Sequence, residues 1–242
     1  MEIWGHRGAF DFAPENTLTG FQLAVDMGAD GVEFDVQLTR DKEVVVIHDE
    51  TVDRTSDGHG HVKDYTLSQI KKLNFNRKGT TRAKFIEIPT LAETLELLKP
   101  SDVKINIELK TGVVYYEGIE VKALEVARKY DIMDRIVWSS FNHYSVQKLK
   151  QLEPDAETAL LCCGGILVTG EQCEKVGAAA LHPHIEQLHY RGLIEDCHSR
   201  GIQVRTWTVN EADEIKLAWL LGADCVCTNR INFVKEVIND FC

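Results

Sequence analysis

The chain has 242 residues, 44% hydrophobic and 27% charged, a globular balance that excludes a disordered polymer and is long enough for one large core. Its 27 basic and 38 acidic side chains leave a formal charge of −11, which argues against nucleic acid as a partner, because phosphate backbones reward a basic surface. A small anionic substrate is compatible with that charge only if the site carries its own cation.

The chain opens as MEIWGHRGAF, with no basic stretch and no long apolar one. No secretory signal is therefore expected, and the cytoplasm is the expected setting. Ile3–His6 reads as a strand. Thr17–Met27 reads as a helix, with Leu18, Phe21 and Val25 at three- and four-residue spacing and Gly28 as a stop. The second strand, Gly31–Asp35, continues through Gln37 and Leu38, turns at Asp41-Lys42 and returns as Val44–His48. About forty residues, Asp49 to Pro89, then precede the next helix; they hold a short helix candidate, Leu67–Leu73. A connection this long in a compact domain is functional or a small subdomain, and it is expected over the mouth of the fold.

Beyond it, strand patterns at Val103–Leu109, Ile136–Ser140, Thr158–Leu161, Ala179–Leu181, Gln203–Trp207 and Cys225–Cys227 alternate with helix patterns. Those helices are Leu91–Leu98, Tyr116–Tyr130, Tyr144–Leu152, Glu171–Val176, Leu193–Ser199, Glu211–Leu221 and Asn232–Ile238. Eight strand–helix alternations predict a single-domain α/β fold, a (β/α)8 TIM barrel over residues 1–242 with an insertion after the second barrel strand; an open doubly wound sheet is the alternative. The longest apolar stretch, Ala159–Val168, is broken by glycines and too short to span a membrane. All seven cysteines fall between Cys162 and Cys242, without paired CxxC motifs, so buried free thiols are expected.

Strand alternation locates the chemistry. In Val32-Glu33-Phe34-Asp35-Val36 the apolar residues share one face and the carboxylates the other. In Ile105-Asn106-Ile107-Glu108-Leu109-Lys110, the polar residues likewise share a face. If the apolar face meets the helices, Glu33, Asp35 and Glu108 point into the barrel, where charges must be paired or bind an ion. Salt-bridged surface strands are the plainer alternative. A two-residue Asp41-Lys42 turn would set Asp35 opposite His48. His6 and Arg7 end the first strand, on the rim where barrel active sites lie. A carboxylate trio without cysteine, beside histidines suited to proton transfer, favours one divalent cation, Mg²⁺ or Ca²⁺. Arg7 and Lys110 supply positive charge for a phosphate.

Other polar residues have simpler readings. Asn16, after Glu15, is an ordinary helix cap in prospect. His59 and His61 are expected in solvent. His182 and His184 could face the rim or serve structure, and Phe141 and Trp207 read first as core.

The segments GHRG, PENTLTGFQLAVDMGADGVEFDVQLTRDKEVVVIHDETVDRTSDGHG, INIELK, SSFNHYSV, LHP and WTVN resemble the glycerophosphodiester phosphodiesterase family over essentially the whole chain. The resemblance implies a (β/α)8 barrel with a small inserted subdomain. It implies His6 and His48 as the acid–base pair, Glu33, Asp35 and Glu108 as ligands of the cation, Arg7 and Lys110 on phosphate, and Trp207, with Phe141, in the substrate pocket. The expected partner is a small-molecule glycerophosphodiester such as glycerophosphocholine or glycerophosphoethanolamine, cleaved to glycerol 3-phosphate and an alcohol through a cyclic phosphate, with His6 favoured as the first base. A phospholipase D-like barrel and a barrel that binds phosphodiesters without turnover are the competing expectations. A homodimer is compatible with the sequence, but nothing in it calls for one. Two departures stand out: GHRG in place of AHRG, and Thr228-Asn229-Arg230-Ile231 where the family often has Thr-Asp-x-Pro.

Overall fold

The computed structural model describes residues 1–76, 83–165, 167 and 170–241. Residues 77–82 of the expected insertion, Val168 and Cys242 lie outside the described residues. The first strand, β1 (Glu2–His6), is followed by α1 (Leu18–Asp26), β2 (Gly31–Leu38) and β3 (Val44–Val46). After the short α2 (Leu67–Ile70) come α3 (Leu91–Leu98), β4 (Lys104–Leu109), α4 (Ile119–Ala127), β5 (Ile136–Ser140) and α5 (His143–Leu152). The chain completes itself with β6 (Glu157–Cys162), α6 (Gly170–Val176), β7 (Ala180–Pro183), α7 (Leu193–Ser199), β8 (Gln203–Thr206), α8 (Ala212–Leu221), β9 (Cys225–Thr228) and α9 (Ile231–Phe241).

Strands β1, β2 and β4 to β9 pair in parallel, and β1 bonds to both β2 and β9, so the eight close into a barrel. It is the (β/α)8 TIM barrel, not the open sheet. Hydrophobic alternation explains it: Val32, Phe34 and Val36 of β2 join Leu91, Leu95 and Leu98 of α3 and Phe21 and Ala24 of α1 in the main core, between sheet and helices. The opposite face fills the interior, where Trp4, Val137, Ala159, Ala180 and Cys225 make a small apolar layer. Gly31 makes room for this layer, since a β-carbon there would fall 2.6 Å from the Trp4 ring.

β2 outruns β1. Its residues Gly31–Glu33 pair with β1, and the same edge further on, Val36–Leu38, takes the antiparallel β3. The hairpin register corrects the two-residue turn. Leu38 faces Val44 and Asp35 aligns with Ile47, which donates its N–H to the Asp35 carbonyl at 2.9 Å, so His48 lies one residue beyond the expected position. The cause is Lys42: its left-handed φ of 64° extends the turn to three residues, closed by the Thr39 N–H on the Glu43 carbonyl at 3.0 Å. β3 also stops at Val46 rather than His48.

Past β3 the chain builds a second apolar cluster, Val52, Val62, Ile70, Phe75, Ile86 and Ile88, which packs on Val45 and Ile47. Other boundaries move by a few residues. α4 starts at Ile119 rather than Tyr116 because Gly118 precedes it at φ +84°, and α2 ends at Ile70 rather than Leu73. Among the described cysteines, five are buried as expected; Cys163 is exposed, a correction that follows from its position just past the end of β6. No helix among the described residues is long and apolar enough to cross a membrane.

Candidate active site

The C-terminal ends of β1, β2 and β4 bring the expected polar residues together. The pairings His6↔Glu33, Glu33↔Asn106 and Asp35↔Glu108 put these side chains in adjacent layers of the interior. One carboxylate oxygen each from Glu33, Asp35 and Glu108 lies within 4.8 Å of the others, and all three residues are buried. Lys110 Nζ sits 3.0 Å from Glu108 and 3.9 Å from Asp35.

Arg7 leaves β1 at φ 54°, a left-handed backbone that turns its N–H onto the Glu33 carboxylate at 2.9 Å. Gly8 continues the turn at φ +84°, with the backbone of Gly20 so close that a β-carbon would meet it at 2.8 Å. The Arg7 guanidinium then donates to Glu15 at 2.8 Å, and its Nε lies 3.6 Å from Asp35. Asn16 is not the helix cap: Thr17 caps α1, while the Asn16 amide donates to Asp35 at 2.9 Å.

Each histidine is held from behind by a different chemistry. His6 Nδ1 meets Asn229 Oδ1 at 2.8 Å, leaving Nε2 4.0 Å from Glu33. His48 Nδ1 meets Asp49 at 2.7 Å, and its Nε2 faces Lys110 at 3.2 Å. Asp49 is gripped by Arg54 through two bonds of 2.7 and 3.0 Å, and Arg54 also grips the buried Glu15. The backbone around His48 is fixed by Gln37, whose amide lies 3.1, 2.9 and 2.7 Å from the carbonyls of Ile47, His48 and Asp49 and is itself held by the Tyr116 hydroxyl at 2.7 Å.

Burial, then the neighbouring Asp35 and Glu108, pushes the Glu33 carboxyl well above its usual range. Burial and Asp35 push Glu108 up to about 7 despite Lys110. Burial acts on Asp35 in the same direction, but Arg7, His48, Lys110 and the Asn16 bond outweigh it and hold this carboxyl low. Burial and then Arg7 lower His6 to about 4, so its ring is neutral near pH 7. Three crowded carboxylates of which two resist ionisation fit a bound cation, and their all-oxygen donor set suits a hard divalent ion.

These groups open into a cavity of about 240 Å³ whose wall includes His6, Arg7, Glu33, His48 and Glu108. Phe141 and Trp207 line it as well, edge to face at 5.4 Å, and are not sealed in the core. His184 packs against Trp207 at 5.0 Å, whereas His182 is buried in the cavity wall. His59 and His61 stand in solvent. Sequence reading missed Asn229, Gln37, Arg54 and the bond of Asn16 to Asp35. Only Asn229 carried a signal, as one of the two residues, with Ile231, that depart from the Thr-Asp-x-Pro pattern.

The Glycerophosphoryl diester phosphodiesterase family model matches residues 6–233. A glycerophosphodiester phosphodiesterase of Caldanaerobacter subterraneus subsp. tengcongensis is 40% identical over 97% of this chain and 98% of its own, and one of Bacillus altitudinis is 36% identical over 94% of each. Among solved structures, an Oleispira antarctica phosphodiesterase in complex with the product sn-glycerol-3-phosphate superposes with a TM-score of 0.88 at 27% identity, covering 99% of this chain and 97% of that one. The chain belongs to the glycerophosphoryl diester phosphodiesterase family.

Proposed function

We propose that the protein hydrolyses glycerophosphodiesters, such as glycerophosphocholine or glycerophosphoethanolamine, to glycerol 3-phosphate and an alcohol. The convergence of two histidines, three carboxylates and two cations on one barrel rim carries this reading. Family membership and the product in the Oleispira structure support it.

In this mechanism Glu33, Asp35 and Glu108 would hold one Mg²⁺ or Ca²⁺, which would supply Lewis-acid chemistry to the reacting phosphodiester. Arg7 and Lys110 hold the phosphate oxygens and stabilise charge that develops on them. His6, neutral and backed by an amide, takes the proton of the glycerol 2-hydroxyl as that oxygen attacks phosphorus. His48, backed by the Asp49 carboxylate that can stabilise an imidazolium, gives a proton to the departing alcohol. Water then opens the cyclic phosphate with the two roles reversed. Phe141 and Trp207 flank the substrate at the mouth.

The whole chain acts as one domain in this reading, with the described part of the insertion, residues 49–76 and 83–89, forming a small lobe at the mouth. Arg54 supports that placement, since it ties Asp49 in this segment to Glu15 of the barrel loop. The cytoplasm is the proposed setting, in keeping with six free cysteines among the described residues.

The test is a turnover assay on glycerophosphocholine, glycerophosphoethanolamine and lysophosphatidylcholine, with chelator and then with Mg²⁺ or Ca²⁺ restored. Choline or ethanolamine release that stops with chelator and returns with the ion is expected. Turnover indifferent to chelator would remove the metal from the mechanism, and a preference for the lysophospholipid would change the substrate class.

A further inference from the structure

Arg54 stands in the insertion with its side chain 45% exposed, where a lone ion pair would contribute little to stability. Its surroundings are not those of a lone pair. Val52 and Ser56 are buried in a short turn, closed by the Ser56 N–H on the Val52 carbonyl at 2.9 Å, and Arg54 lies between them. Its Nε and Nη2 donate to the two Asp49 oxygens at 2.7 and 3.0 Å. Its Nη1 and Nη2 donate to the two Glu15 oxygens at 2.5 and 2.8 Å. One guanidinium thus forks onto two carboxylates, one beside His48 and the other beside Arg7.

The two Asp49 oxygens are held differently. Oδ1 lies 2.7 Å from His48 Nδ1 and 3.0 Å from Arg54 Nη2, while Oδ2 meets Arg54 Nε. Holding both oxygens fixes the plane of the carboxylate. A bond from the imidazole alone would leave this partly exposed side chain free to turn towards water. The Arg54 bonds also hold the Asp49 carboxyl down at about 2 against burial, so it remains an anion wherever an imidazole exchanges protons. The backbone here does not depend on Arg54, because Gln37 holds the carbonyls of Ile47, His48 and Asp49. Loss of the guanidinium therefore releases the Asp49 side chain and leaves the chain path in place.

We propose that Arg54 is a positioning residue for proton delivery to the departing alcohol: it fixes Asp49 against His48 Nδ1, and its grip on Glu15 ties that acid to the barrel loop that carries Arg7. This rests on the hydrolase reading above, with His48 as the acid. The proton passes from His48 Nε2 to the alcohol oxygen as the bond from that oxygen to phosphorus breaks, which leaves the ring neutral. His48 lines the cavity and Arg54 does not, so Arg54 acts through His48 and not on the substrate.

The experiment compares two substrates on the intact protein in Mg²⁺ buffer. Glycerophosphocholine releases an alkoxide that must be protonated, whereas the p-nitrophenyl ester of glycerol 3-phosphate releases p-nitrophenolate, which leaves without a proton. Arg54→Gln should lower kcat for glycerophosphocholine roughly 10- to 100-fold, and for the p-nitrophenyl ester less than about threefold, with KM little altered for either. The second ester also reports on folding, since a collapsed loop or a displaced Arg7 would slow both reactions. Equal losses on the two esters therefore overturn the positioning role, and so does an unchanged kcat for glycerophosphocholine. A parent protein that cleaves neither ester refutes the hydrolase reading and this proposal with it. A parent that cleaves both, beside an Arg54→Gln protein that does not discriminate between them, refutes the positioning role alone.

Discussion

His6 and Asn229, 223 residues apart in the chain, meet through a single 2.8 Å bond between ring Nδ1 and side-chain Oδ1. Asn229 is in turn placed by Asn210, which accepts its backbone N–H at 3.0 Å. An amide oxygen that accepts from Nδ1–H leaves the lone pair of Nε2 directed at the cleft, the form a base requires.

Asn229→Ala is therefore expected to lower kcat by up to ~10²-fold with little change in KM, since it frees a catalytic ring to rotate without touching the substrate. Asn229→Asp keeps an acceptor at the same distance and should recover most of the loss. Steady-state kinetics on both variants check this; an Asn229→Ala protein with unaltered kcat would show that the bond does not orient the ring.

His6→Ala and His48→Ala should each reduce turnover of glycerophosphocholine by ~10² to 10⁴. Normal activity in both would overturn the acid–base pair.

The carboxylate trio gives a pH dependence. Glu108 is raised to about 7 by burial and Asp35, so between its ordinary range and that value the folded protein binds more protons than the unfolded one. In chelator, its contribution to stability is present at low pH and lost as pH rises through about 7. His6 acts in the opposite sense, between about 4 and 6.5, so the interval from pH 6.5 to 8 isolates the carboxylates. Melting temperature should fall over that interval in chelator, and the upward shift on adding Mg²⁺ or Ca²⁺ should grow. Glu108→Gln, measured beside the parent, should melt higher in chelator at pH 8 and lose the cation-induced shift. An intact shift in that variant would place the ion elsewhere.

Gln37→Leu is expected to destabilise the protein by about 2 kcal/mol or more, because the carbonyls of Ile47, His48 and Asp49 and the Tyr116 hydroxyl lose a buried partner together. Its kcat should fall as well, through His48. Denaturant unfolding and kinetics on the same sample test both; a loss of stability without a loss of kcat would mean that His48 keeps its place unaided.

The inward carboxylates were legible in the sequence because β-strands repeat every two residues, and the apolar faces of β2 and β4 left only one side for Glu33, Asp35 and Glu108. The hairpin count missed by one residue because a left-handed Lys42 is set by local turn energetics that Asp41-Lys42 does not announce. His48 still reaches the site, since Gln37 rather than strand pairing positions it. Arg54 and Gln37 were beyond reach for a different reason, and Asn229 showed only as a departure from a motif: each acts through a partner that only barrel closure or the path of the long insertion brings near. Strand and helix positions in the barrel wall follow from periodicity, and their ends shift by a few residues where a glycine or a cap intervenes.

The separation of the main core from the cluster past β3 has a consequence for how the molecule fails. His6, Glu33, Asp35 and Glu108 stand on barrel strands, but His48 and its partner Asp49 sit at the seam where the smaller cluster begins. A local opening of that smaller unit would carry one histidine away while leaving the barrel closed. On heating or in mild denaturant, activity should therefore disappear before the helical circular dichroism does, and amide exchange should be faster in residues 50–75 than in the barrel strands. The enzyme's working range would then be set by its smaller core.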